Sequence, residues 1–204
     1  MPARGLLIVL TGPSGTGKGS LREAVLRRRP DLVYCVSATT RPPRPGEVDG
    51  VHYFFLDPAE FKAGLEAGRF VEWAEVYGHL YGTPGEPMNA LLAAGKDVIV
   101  EKDVQGAAVL MERYPEAVFV FTAPPTLAEL QRRVTDRGTD SPVAIDRRMA
   151  LAAKEMQQAR RYDYTIINDS LPDAVNELEA VVVAEKCRTW RLYGPAGAAG
   201  NGEG

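Results

Sequence analysis

LLIVL (Leu6–Leu10), followed by TGPSGTGKGS (Thr11–Ser20), reads as a short buried strand, a glycine-rich turn and the start of a helix whose apolar face continues through Leu21, Val25 and Leu26. Within this stretch Gly12, Pro13, Ser14, Gly15, Thr16, Gly17 and Lys18 spell GxxxxGK, a P-loop. Its glycines let backbone N–H groups wrap phosphate oxygens, and Lys18 reaches the β and γ oxygens of a nucleoside triphosphate. The three fixed positions recur by chance at roughly 0.06 per chain, before a strand ahead and a helix behind are required. Gly19 stands where a Ser or Thr often supplies a hydroxyl to Mg2+, with Ser20 one residue on, so metal contact is expected through water.

Outward from the loop, strand-like and helix-like segments alternate. LVYCVSAT (residues 32–39) suits another buried strand, and RPPRPGEVDG after it is barred from regular structure by its prolines and glycines. HYFFL is strand-like, and Asp57, Pro58 and Glu60 form a capping box that opens a short helix. FVEWAEVYG alternates, so Glu72 and Ala74 are expected on one face of a half-exposed strand and Val71 and Trp73 on the other. A helix from Met88 to Ala94, the strand DVIVEKD, a helix from Gln105 to Arg113 and the strand AVFVFTA follow. Thr126 and Glu129 suggest a second capping box, Ser141 caps a polar helix running to about Arg161, YTIIND is the last strand, and a closing helix begins near Leu171 and passes Cys187.

This order predicts an α/β fold: a P-loop NTPase-like parallel sheet with helices on both faces, an inserted mixed α+β unit and a helical lid. Segments 1–36, 85–124 and 161–192 are expected to build the core, 37–84 the insertion, 125–160 the lid and 193–204 a disordered glycine-rich tail.

Composition narrows the partners. With 204 residues, 45% hydrophobic and 25% charged, one core is expected, and disorder, coiled coil and small disulfide scaffolds are excluded. A net charge of -3 gives no global basic field for nucleic acid or an anionic membrane, so any phosphate site is local. Cys35 and Cys187 form no CxxC pair, and His52 and His79 have no partners at ligand spacing, which leaves a zinc site without ligands. The longest apolar run near the start is too short for a signal segment or membrane span, so a soluble cytoplasmic protein is expected, as a monomer or a homo-oligomer.

Three further groups carry chemistry. Ser37, Arg41, Arg44 and Tyr53 lie within one loop-rich stretch, suited either to a second, smaller phosphate or to an ordinary basic surface loop. Glu72, Tyr81 and Thr83 follow, each open to a structural reading, Glu72 as a polar residue solvating its strand. Glu101 and Asp103 stand at the end of a strand, where open α/β sheets bind ligands and where acidic groups organise Mg2+ or its waters.

In order along nearly the whole chain, GPSGTGKGS, VSATTRPPRPGEVDGVHYFF, FVEWAEVYGHLYGTP, VQGA, RGTDS and YDYTIIND resemble the guanylate kinase family. The resemblance implies transfer of the γ-phosphoryl of ATP to GMP, with Mg2+, in a nucleoside monophosphate kinase. It implies that Ser37, Arg41, Arg44, Tyr53 and Tyr81 hold the GMP phosphate and that Glu72, Thr83 and Asp103 face the guanine. It likewise implies that Arg137 and Arg148 are lid arginines closing on ATP, that Asn168 contacts the adenine, and that Lys18, Arg41, Arg137 and Arg148 spread charge during transfer. Ser20 and Glu101 would approach the metal through water.

One position departs from that pattern: Lys102 stands where the family usually carries an apolar residue. Either its ammonium snorkels to solvent, the expectation adopted, or it pairs with a carboxylate or nucleotide phosphate. Two rivals compete with the kinase reading. A non-catalytic interaction module of the same fold conflicts with the intact Lys18; the second rival is a kinase for a different small acceptor or a P-loop GTPase, and a GTPase would need a guanine-reading NKxD, which the sequence lacks.

Overall fold

The computed structural model of the chain describes residues 4–76, 78–136 and 141–193. Its core is a parallel sheet of five strands: β1 (Leu7–Thr11), β2 (Leu32–Tyr34), β7 (Asp97–Glu101), β8 (Val118–Ala123) and β9 (Tyr164–Ile167), in the order β2-β7-β1-β8-β9. Strand side chains alternate between faces, so Ile8 and Leu10 pack one way and Leu7 and Val9 the other. The first face buries against Leu21 and Val25 of α1 (Lys18–Arg28) and against Ala174, Leu178 and Val182 of α7 (Leu171–Lys186). The second buries against Met88 and Leu92 of α3 (Gly85–Ala93) and Ala107 and Leu110 of α4 (Val104–Arg113). Helices on both faces of a parallel sheet are the expected architecture.

A second, mixed sheet holds β3 (Ala38–Thr39), β4 (Phe54–Phe55), β5 (Phe70–Val76) and β6 (His79–Pro84), in the order β4-β3-β6-β5. Helix α2 (Pro58–Glu66) packs beside it through Phe61, whose ring stacks on Phe70 at 4.5 Å. The capping box at its start is as read from sequence: Asp57 accepts from the Glu60 N–H at 2.8 Å and Glu60 from the Asp57 N–H at 3.1 Å. Helices α5 (Leu127–Asp136) and α6 (Pro142–Met156) meet through a separate small core of Leu130, Val134 and Ala152. A 3-10 turn, Gln157–Arg161, leads into β9, and α8 (Thr189–Tyr193) follows a break at Cys187 that the expected continuous closing helix did not contain.

Two other expectations change. LVYCVSAT is not one strand: β2 pairs with β7 in the core sheet and β3 with β4 and β6 in the other, and the bend between them carries the chain across. In β5, Val71 is buried while Trp73 is 49% exposed, so the two do not share a fate. The cause is a register irregularity between Phe70 and Glu72 in the pairing with β6, which breaks the alternation. Among the described residues no helix is long and apolar enough to cross a membrane.

Candidate active site

The carboxyl ends of β1 and β7 open into a cleft of about 480 Å3 whose opposite wall is the second sheet and the loop joining its strands β3 and β4. The P-loop forms one side. Gly12, Gly15 and Gly17 adopt φ of +136°, +98° and +86°, a conformation that side-chain-bearing residues avoid, and so turn the backbone tightly enough for α1 to start at Lys18. No side chain caps α1, so its first-turn N–H groups remain for an anion. Lys18 opens this helix, and its ammonium donates to the carbonyls of Gly12 (2.7 Å) and Pro13 (3.0 Å). Thr16 is fully buried, its hydroxyl donating to the Pro13 carbonyl at 3.0 Å.

The opposite wall gathers Ser37, Arg41, Arg44, Tyr53, Tyr81 and Glu72 around the same space. Glu47, which sequence reasoning passed over, organises it. The Arg41 guanidinium donates to both Glu47 oxygens at 2.8 and 2.9 Å, and the Arg44 backbone N–H donates to Glu47 at 2.7 Å. Burial pushes the Glu47 carboxyl up, but the Arg44 N–H and the Arg41 charge outweigh it and hold it below the usual range. Burial also works against the Arg41 charge, and Glu47 more than compensates, leaving its pKa raised. The guanidinium lies 5.5 Å from the Tyr53 ring centre, and Tyr53 meets Tyr81 edge-on at 5.9 Å. Burial raises the Tyr53 hydroxyl to about 12.

Glu72 is 4% exposed, which overturns the reading of it as a solvated strand residue. Its Oε1 accepts from the Thr83 hydroxyl and lies 3.0 Å from the Lys102 ammonium. Lys102 therefore does not snorkel: it is buried, and it also donates to Ser37 Oγ at 2.7 Å. A buried ammonium is costly alone, and the Glu72 carboxylate supplies the missing charge. Glu72 Oε2 is so close to Gly106 that a Cβ there would sit 2.7 Å away, and 3.2 Å from Asp103 Oδ1. Gly106 is thus a close-approach glycine, a role its VQGA motif did not disclose. Asp103 caps α4 by accepting from the Gly106 N–H at 2.8 Å, and burial, added to by the nearby Glu72 charge, raises its pKa against that bond.

The remaining expected residues divide. Arg148 projects from α6 into the cleft, as does Glu155 one turn pair further on, whose carboxyl is raised by burial. Ser20 and Glu101 line the cleft beside Gly19, with Glu101 accepting from Arg22 at 2.9 Å. Arg22 was also missed, although it stands four residues after Lys18 on one helix face. Thr83 is fully buried behind Glu72. Asn168 is not on the cleft wall: it is 6% exposed, and its amide donates to the Thr16 carbonyl at 2.7 Å, bracing the P-loop from beneath. One of its two amide N–H donors is thereby engaged by the loop. Arg137 and the glycine-rich tail from 194 on lie outside the described residues.

The whole arrangement can hold two phosphate-bearing molecules across one gap, with cations at Lys18, Arg41 and Arg148 around it. Comparison with known proteins agrees. Residues 4–185 match the sequence model described as guanylate kinase. The guanylate kinase of Desulfitobacterium hafniense (strain Y51) is 48% identical over 187 residues, covering 92% of this chain and 94% of that protein. That of Symbiobacterium thermophilum is 50% identical over 188 residues, covering 92% and 89%. The crystal structure of guanylate kinase from Anaplasma phagocytophilum superposes with a TM-score of 0.79 at 32% identity, covering 93% of this chain and 90% of that one. On these matches and this cleft, the chain belongs to the guanylate kinase family.

Proposed function

We propose that this protein transfers the γ-phosphoryl group of ATP to GMP, giving ADP and GDP. The observation that carries the reading is that the P-loop and Lys18 share one cleft with Ser37, Arg41, Arg44, Tyr53 and Tyr81, with Glu72 on the same wall. Loop N–H groups and Lys18 suit a triphosphate. The arginine, tyrosine and serine donors suit a monophosphate, and a carboxylate suits the adjacent N1–H and N2 amine donors of guanine.

Donor and acceptor phosphates then lie in line, and the attacking phosphate oxygen is already ionised, so no general base is required. Lys18 leaves its two loop carbonyls for the β and γ oxygens, and Arg41 exchanges Glu47 for the GMP phosphate. Arg148, joined in this reading by Arg137, spreads the charge that develops on the transferring group. The 37–84 segment serves as the acceptor unit and 125–160 as the lid, which excludes water that would otherwise take the phosphoryl group. Mg2+ enters as part of the MgATP substrate. The residues fit that role: Ser20 and Glu101 are hard oxygen donors on the cleft wall that would approach the metal through water, and the ion would supply charge neutralisation of the phosphates.

The test is ADP formation from MgATP with GMP, AMP, CMP or UMP as acceptor. GMP is expected to be preferred strongly. A preference for another nucleotide reassigns the acceptor, and no turnover with any of them makes the chain a binding module.

A further inference from the structure

Lys102 is a buried cation on the cleft wall that the proposed transfer does not use. It directly follows β7, and its backbone N–H donates to the Leu10 carbonyl of β1 at 2.9 Å, so the core sheet fixes where its side chain starts. That side chain is 6% exposed and reaches two elements of the opposite wall, Ser37 just before β3 (2.7 Å) and Glu72 on β5 (3.0 Å). Ammonium groups offer three donors and no acceptor, and each carboxylate oxygen offers about two lone-pair sites. On Glu72 Oε1, the Thr83 hydroxyl and Lys102 fill both. Oε2 is left, held against Gly106 beside Asp103.

We infer that Lys102 is a positioning residue for base recognition: by occupying Glu72 Oε1 it fixes the carboxylate so that Oε2 is the oxygen presented to the acceptor base, and it ties the second sheet to the end of β7. This rests on the reading of the cleft as a GMP site. Ser37 locks the other side of the ammonium, and because its oxygen accepts from Lys102, its own O–H is left for a phosphate oxygen. An apolar side chain at 102 would remove the tie, leaving Glu72 held by Thr83 alone and free to turn.

The experiment uses the full chain and its Lys102→Met and Lys102→Arg variants. Initial rates are measured with GMP varied at saturating ATP and with ATP varied at saturating GMP, beside thermal unfolding of each protein. Lys102→Met is expected to raise the KM for GMP by about tenfold or more while kcat and the KM for ATP stay within about threefold, the signature of lost acceptor binding. Lys102→Arg is expected to restore most of the loss. A folded Lys102→Met protein with a GMP KM within about twofold of the parent overturns the inference. If Lys102→Met does not fold because Glu72 is left buried and unpaired, Glu72→Gln is compared with Glu72→Gln/Lys102→Met, where that bare carboxylate is gone. GMP KM values equal within about twofold support action through Glu72, and a further tenfold rise in the double variant, of about that size or more, overturns it. A parent chain that forms no ADP with GMP overturns the GMP reading itself, an outcome distinct from an unchanged KM in an active enzyme.

Discussion

Glu72 makes contacts that a merely solvated strand residue would not need: the Thr83 hydroxyl, the Lys102 ammonium and the close approach to Gly106. Guanine presents N1–H and an N2 amine side by side, which Oε2 and the neighbouring Asp103 can accept, whereas adenine turns an unprotonated N1 toward them. Glu72→Gln is therefore expected to lower kcat/KM for GMP by about 2 to 4 kcal/mol while leaving the KM for ATP nearly unchanged. An unchanged GMP-to-AMP ratio in that variant would assign base reading to another group. Tyr53 gives a pH prediction. Its folded pKa of about 12 lies above the ordinary 10.0, so the folded state holds this proton more tightly than the unfolded chain. The stability it contributes is complete below pH 10 and is lost as pH rises toward 12. Its O–H thus remains a donor through neutral and mildly alkaline assays, and Tyr53→Phe should raise the GMP KM by a factor that is the same at pH 7 and pH 9. A factor that shrinks severalfold at pH 9 would mean that the hydroxyl pKa is lowered below its ordinary 10.0 rather than raised. The identities of these residues were legible in the motifs, but their partners were not: Lys102 and Glu72 are far apart in sequence, and no local pattern pairs them.

Elements were legible where a local rule decides them. The capping box at Asp57, Pro142 after the Ser141 cap, and the fully buried β8 all follow from spacing alone. Local rules failed where two sheets compete for one run of chain. LVYCVSAT has uniform strand character, and only the tertiary partners of β2 and β3 divide it. The same holds for Asp97, which reads as an ordinary polar residue at the start of a strand. It is 7% exposed, accepts from the Leu6 N–H at 3.0 Å and receives the Lys186 ammonium of α7 at 2.6 Å, so it joins β1, β7 and α7. Asp97→Ala leaves the Leu6 N–H unpaired beside the core, and should destabilise the fold by about 1 to 3 kcal/mol. Urea unfolding would report this as a lower midpoint with an unchanged m-value. Asp97→Asn keeps an oxygen for Leu6 and should lose less, and equal stability of parent and Ala variant would remove the anchoring role.

Across the whole molecule, apolar contacts are divided unevenly. Two large clusters clamp the five-stranded sheet, while α5 and α6 share a small core of their own, Leu130, Val134 and Ala152, supported by Ile145 and Met149. α5 also abuts the phosphate loop, since a Cβ on Gly15 would meet Val134 at 2.8 Å and Leu130 at 3.0 Å. α6 is thus packed on the donor side through α5, by a core separate from both sheet clusters, which suits the lid role proposed for this segment. Arg148 and Glu155, seven residues apart, lie on the same face of α6, and both line the cleft. Arg148 so carried should act on the transferring phosphoryl rather than on bound GMP. Arg148→Ala is expected to lower kcat on the order of 10² to 10³-fold, as removal of one charge-stabilising donor does, because the interaction strengthens as charge develops. GMP affinity measured by calorimetry without ATP should change by less than about twofold, since the proposed acceptor wall would hold that phosphate independently. The opposite pattern, a strong loss of GMP affinity with kcat preserved, would move Arg148 to the acceptor site and leave α6 without a catalytic reason to close.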